Sequence, residues 1–195
     1  MSLPEINYCP SLLSEGFHSY SPAALKKLFD GKKVSHILPY DAPWTNDDES
    51  NDFMENRKRI SISGVQEKYS LIQVKNKLRL TEPGEQGTHI LKPYPVDLKR
   101  PRELPANEHL TMQIASQVYK LNTASSGMIF FKNGDPAYIT KRFDVLKNGT
   151  KLAKEDFATL AGKKGIKSGP DFKYEGSYEK AGNLIKQFVP AQATE

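Results

Sequence analysis

Ile60-Ser61-Ile62-Ser63-Gly64-Val65-Gln66-Glu67-Lys68-Tyr69-Ser70-Leu71 and, about two dozen residues on, Thr88-His89-Ile90-Leu91-Lys92-Pro93 decide how this chain reads. A short strand runs into a Ser/Gly turn, and a second apolar strand ends in a lysine. Backbone N–H groups of a turn after a strand can cradle phosphates, and a lysine on a neighbouring strand can pair with them. Taken alone, Ser-Gly after a strand is an ordinary turn. It is neither a G-x-x-x-x-G-K-[ST] loop nor a G-x-G-x-x-G loop. Position strengthens it, because Lys68 follows the turn and Lys92 ends a strand one hairpin later. A lysine at a buried edge needs an anionic partner, because desolvating an ammonium is costly. A phosphate supplies one. Glu108, in the first turn of the helix that should follow, is the other candidate.

Working outward, Lys68–Val74 and 77–81 read as a hairpin about Asn76. Thr88–Lys92 is a strand bounded by Pro93 and Pro95. Pro101–Leu121 is the strongest helix, with Leu110, Ile114, Val118 and Leu121 at helical spacing, and this stripe is expected to pack on the sheet. Met128–Phe131 and Ala137–Lys141 are strands joined by Asn133-Gly134-Asp135-Pro136, a hairpin turn. With Lys58–Ser63 as a further strand, residues 58–145 make an α+β layer: an antiparallel sheet with one packed helix.

On either side the chain is expected to differ. Residues 1–57 form a short N-terminal subdomain or linker. Its helix, Pro22–Phe29, is capped by Ser21 and stopped at Asp30-Gly31. The turn-rich acidic stretch that follows holds Trp44, read as a packing anchor. Residues 146–195 form a partial helical region, with helices over Lys154–Leu160 and Ser177–Phe188.

Composition narrows the classes. A hydrophobic share of 37% suffices for a core and argues against global disorder. The net charge of +5 fits nucleotide, nucleic acid or an acidic partner, yet the basic residues are spread thinly for a nucleic-acid footprint. One cysteine, Cys9, allows no intrachain disulfide and no cysteine-built zinc site, which fits a reducing cytoplasm. No run approaches a membrane span, so no membrane association is expected. No Gly-x-Ser-x-Gly elbow occurs, and Asp47-Asp48-Glu49 lacks calcium-loop spacing.

Four ordered words, Ser61-Ile62-Ser63-Gly64-Val65-Gln66-Glu67-Lys68, Gly87-Thr88-His89-Ile90-Leu91-Lys92-Pro93, Ala106-Asn107-Glu108-His109 and Thr140-Lys141-Arg142-Phe143-Asp144, resemble the HipA family of bacterial toxin serine/threonine kinases. The resemblance is good over 58–145 and looser outside it. It implies a kinase-like N-lobe in which Ser63, Gly64, Val65, Gln66, Glu67 and Lys68 cover the ATP phosphates and Lys92 pairs with them. Glu108 is then the lysine's partner, and Lys141-Arg142-Phe143 is a hinge whose backbone binds adenine. The family commonly has an acid where Lys141 stands, a change that a backbone contact tolerates. Shorter members resembling HipT carry a Ser-x-Ser pair, which makes Ser61 and Ser63 candidate autophosphorylation sites. A phosphoserine there would repel nucleotide phosphates; the alternative is that these hydroxyls bond the turn backbone.

The same resemblance implies ATP and Mg²⁺ as cofactors, an aminoacyl-tRNA synthetase as protein substrate and a HipB-like DNA-binding antitoxin as partner. A phosphotransferase also needs an aspartate for the substrate hydroxyl and acids for the metal. The family's N-G-D-x-H word does not occur here, and Asn133-Gly134-Asp135 is a hairpin turn before the hinge. The chain therefore reads as an N-lobe and the start of a C-lobe, with the magnesium ligands expected outside it and no activity expected of it alone. The rival reading is a non-catalytic protein-interaction module with the same fold. A weaker third is a nucleic-acid binder built on the basic clusters.

Overall fold

The computed structural model describes residues 3, 5–44, 67–95, 99–163 and 176–189. The expected strand over 58–63, with Ser61, Ser63, Gly64, Val65 and Gln66, lies outside these. Two units are distinct, residues 1–149 and 150–195.

Among the described residues the first unit is built on five antiparallel strands: β1 (Tyr69–Val74), β2 (Lys77–Leu80), β3 (His89–Pro93), β4 (Ser126–Phe130) and β5 (Pro136–Lys141). Their order across the sheet is β2-β1-β3-β5-β4. Two hairpins give the outer pairs. Lys75, with φ at 53°, turns β1 into β2, and Gly134, with φ at 86°, turns β4 into β5. Gly87 lets the chain entering β3 lie against β1, since a β-carbon there would fall 2.0 Å from Ser70 Oγ.

Alternation divides the sheet into two faces. Tyr69, Leu71, Leu78, Leu80, His89, Leu91, Ala137 and Ile139 are buried on what we call the rear face. Residues from 5–44 cover it. Helix α1 (Pro22–Phe29) is started by Ser21, whose Oγ accepts from the Ala24 amide, and stopped by Asp30 in the left-handed conformation. Its buried side, Ala24, Leu28 and Phe29, joins Cys9, Val34 and Leu38 in one core with the rear face. Cys9 is fully enclosed: its thiol donates to Ser21 Oγ at 3.4 Å and accepts from the Ser21 amide at 3.3 Å. Trp44 stacks on Tyr94 at 4.3 Å and donates to Asp135 at 3.2 Å, as a packing anchor should.

The other face, the front, is covered differently. The segment expected as one helix over Pro101–Leu121 is a 3₁₀ turn at Pro101–Glu103, an α-helix α2 at Leu104–Gln113 and a π-turn at Ile114–Val118. It packs on β4 and β5. The expected contact face is corrected. Pro105, His109 and Gln113 are buried, while Leu110, Ile114, Val118 and Leu121 are exposed at 50%, 42%, 67% and 59%. Rotation about the helix axis explains this. Residues 105, 109 and 113 share one stripe, about 100° from the 110–114 stripe. Turning the helix so that Glu108 reaches the sheet turns the apolar stripe out.

In the second unit, α3 (Phe157–Leu160) is shorter than the expected 154–160, because Asp156 caps it by accepting from the Thr159 amide. Helix α4 (Tyr178–Phe188) is capped by Ser177 as expected. Among the described residues no helix is long and apolar enough to cross a membrane, and no group of three or more His, Cys, Asp or Glu could hold a metal.

Candidate functional site

Lys92 lies on the third strand, opposite Tyr138 of β5, so it projects from the front face, whereas its neighbour Leu91 lies opposite Ile139 in the rear core. Strand alternation alone gives these adjacent residues opposite surroundings. Helix α2 packs mainly on the β4–β5 side of the front face. Ser70, Ile72, Ile90 and Lys92, on the remaining part, are half-buried.

The lysine is held from two directions. Its Nζ forms an ion pair with Glu108 Oε1, and it sits 5.3 Å from the centre of the Tyr138 ring. Tyr138 is 2% exposed, and burial raises its phenol pKa. Lys68 joins the group. Burial lowers its pKa first and the charge of Lys92 lowers it further, while Glu108 offsets part of this. Among the described residues, Lys68 and Lys92 thus both lie within electrostatic reach of one carboxylate, that of Glu108, at a half-buried surface.

Register decides which loop can reach this site. Tyr69 lies opposite Leu91, so the segment entering β1 arrives beside Lys92. The β1–β2 turn at Lys75-Asn76 is at the far end of the strand, roughly 20 Å away at about 3.3 Å per residue. Among the described residues, Glu67 and Lys68, where the chain enters β1, arrive on the Lys92 side of the sheet.

The remaining candidates divide. Glu67 accepts from the Tyr69 hydroxyl at 2.8 Å. Lys141 lies opposite His89, so its side chain is on the rear face, where it pairs with Asp30 at 2.7 Å. Its amide donates to the Ser125 carbonyl at 2.8 Å, and that of Arg142 donates to Thr88 at 2.9 Å. Phe143 is 71% exposed. Arg142 is clamped by the buried Asp144 at 2.6 and 2.9 Å, which fixes the chain as it leaves β5. The structure therefore joins Lys68, Lys92 and Glu108 and leaves Lys141 and Phe143 apart from them. Tyr138 was missed by sequence reasoning. Only the β3–β5 register reveals it, and the two strands lie far apart in the chain.

The family model for HipA-like C-terminal domains matches residues 60–195. No curated protein sequence is similar enough to count as a match. A chain in the solved structure of the Shewanella oneidensis MR-1 toxin–antitoxin system, HipA, HipB and operator DNA in complex, is 21% identical with a TM-score of 0.45. The match covers 70% of this chain and 34% of that one, so this chain spans about a third of its length. With the family model covering more than half of its residues, the chain belongs to the family of HipA-like C-terminal domains.

Proposed function

We propose that this chain carries the ATP-phosphate-binding lobe of a HipA-like serine/threonine protein kinase, the toxin of a toxin–antitoxin pair. The observation that supports it is the ion pair between a third-strand lysine, Lys92, and a glutamate of the following helix, Glu108. In protein kinases that pair aims the lysine at the ATP phosphates. Lys68, where the chain enters β1, adds a second cation within electrostatic reach of Lys92 and Glu108. In this reading Lys68 and Lys92 hold the phosphates, Glu108 orients Lys92, and the backbone after β5 meets the adenine. Mg²⁺ would neutralise the phosphates, held by acids other than those of this site. Ser61 and Ser63 are the proposed autophosphorylation sites, an aminoacyl-tRNA synthetase the proposed substrate and a HipB-like antitoxin the proposed partner.

Calorimetric titration of MgATP into the chain, with Lys92→Ala alongside, tests the reading. Binding that Lys92→Ala abolishes supports it; binding indifferent to Lys92→Ala sinks it. A second reading, the non-catalytic interaction module, is favoured by the exposed apolar stripe of the Pro101–Leu121 segment. It expects no MgATP binding at millimolar nucleotide.

A further inference from the structure

The rear face holds a separate cleft of about 490 Å³, between the end of α1, the β1–β2 turn and the chain after β5. Its charged lining is lopsided: Lys32, Lys75, Lys141, Arg142 and Lys147 against Asp30. Two of these cations are already matched. Lys141 pairs with Asp30, and Arg142 is clamped by Asp144. Among the described lining residues, Lys32, Lys75 and Lys147 leave a surplus of three positive charges around one concavity, an arrangement that favours an anion.

The walls are fixed in advance. Helix α1 ends at the cleft, and its last carbonyls would repel an anion. They are covered instead: Gln73 Nε2 donates to Phe29 O at 3.0 Å, and His89 Nε2 lies 2.9 Å from Leu28 O. Gln73 Nε2 also donates to Lys75 O at 3.2 Å, tying the β1–β2 turn to the helix end. His89 Nδ1 is 2.8 Å from the Thr88 hydroxyl, whose oxygen accepts from the Gln73 amide at 3.0 Å. With Leu28 O taking the Nε2 proton, Nδ1 is an acceptor and the ring is neutral. Val145 and Leu146 supply an apolar side. Basic rim, amide groups and an apolar wall in a volume of this size suit a small ligand that carries both phosphate and a flat body.

We infer that this rear cleft is a second anion site, which takes a phosphate group, free or as the ester of a nucleoside monophosphate, on Lys32, Lys75 and Lys147. It is independent of the nucleotide reading of Lys92, which lies on the opposite face of the sheet.

The test is amide chemical-shift mapping of the chain at low salt, without magnesium, using inorganic phosphate in one arm and AMP in the other. Wild type is compared with the triple variant Lys32→Gln/Lys75→Gln/Lys147→Gln and with Lys92→Ala. All three lysines are exposed, so the triple variant should fold, and its melting curve checks this. Shifts are expected at Thr88, Leu146 and Gly149 in wild type and in Lys92→Ala, with affinity on the order of tenfold weaker in the triple variant. AMP binding more tightly than phosphate identifies an ester ligand; equal affinities identify free phosphate. Absence of shifts at these amides with both probes up to millimolar concentration overturns the site, as do shifts that the triple variant leaves unchanged. Failure here leaves a Lys92-dependent MgATP titration untouched, and the converse holds.

Discussion

The two faces of one sheet solve opposite problems. The rear face is closed: α1 and its flanking chain enclose Leu71, Leu91, Ile129 and Ile139, each with no exposed surface. Among the described residues the front face is covered mainly on one side, by a helix that presents a proline, a histidine, a glutamine and a carboxylate in place of its apolar stripe. Stability resides in the first arrangement, and the proposed nucleotide site belongs to the second. Leu91 and Lys92, adjacent in sequence, mark the boundary. A single strand can serve both because its period is two.

The sharpest way to break this contrast is to substitute those neighbours. Leu91→Ala removes side-chain volume from the closed core and should cost about 2–5 kcal/mol of stability, read by denaturant melts. An undiminished midpoint would mean that the rear core is not the source of stability.

Acid should come next in size and should act on both faces. Burial holds His89, on the rear, and His109, on the buried side of α2, at about 4, against the ordinary 6.5. The unfolded chain then binds protons before the folded one does. Stability is fully present above about 6.5, falls as pH drops from there towards 4, and levels off below. The loss should be on the order of a few kcal/mol for each ring. His89→Gln and His109→Gln should each flatten part of the slope in melts run from pH 7 to 4. A profile unchanged in both variants would show that neither ring is held neutral.

Lys92→Ala should move stability by less than about 1 kcal/mol, because its ion pair is only partly buried. It should nevertheless remove MgATP binding. A variant that unfolds the chain would make Lys92 a structural residue and erase the contrast with Leu91. The smallest effect belongs to the outward stripe. Val118→Ser should stay within about 0.5 kcal/mol by thermal melt, as exposed positions do. A loss of several kcal/mol would mean that this stripe is covered after all.

Much of the sheet and the ends of its elements were legible before any coordinates. The Ser21 cap, the Asn133-Gly134 turn and the strand ending at Lys92 are local signals, each carried by a few adjacent residues with one dominant physical preference. Glu108 as the partner of Lys92 was legible for the same reason: strand, loop and first helical turn follow in order. The face of α2 was not. Periodicity finds an apolar stripe, but a helix also carries obligations from single residues. Here the ion pair of Glu108 and the burial of His109 and Gln113 set its rotation. Tyr138 beneath Lys92 and the basic cleft behind the sheet were illegible for another reason. Both are assembled from strands and turns distant in sequence, and neither leaves a local pattern.

Cys9 gives the closed face a property of its own. Its thiol has no exposed surface and is held between Ser21 and the turn at Leu12. No second thiol exists in the chain. A thiol reagent can therefore react only when the rear core opens, and the labelling rate becomes a clock for that opening. Ligands that tighten the fold should slow the clock in proportion to the protection they give, so one native side chain can report on either face without any probe being introduced.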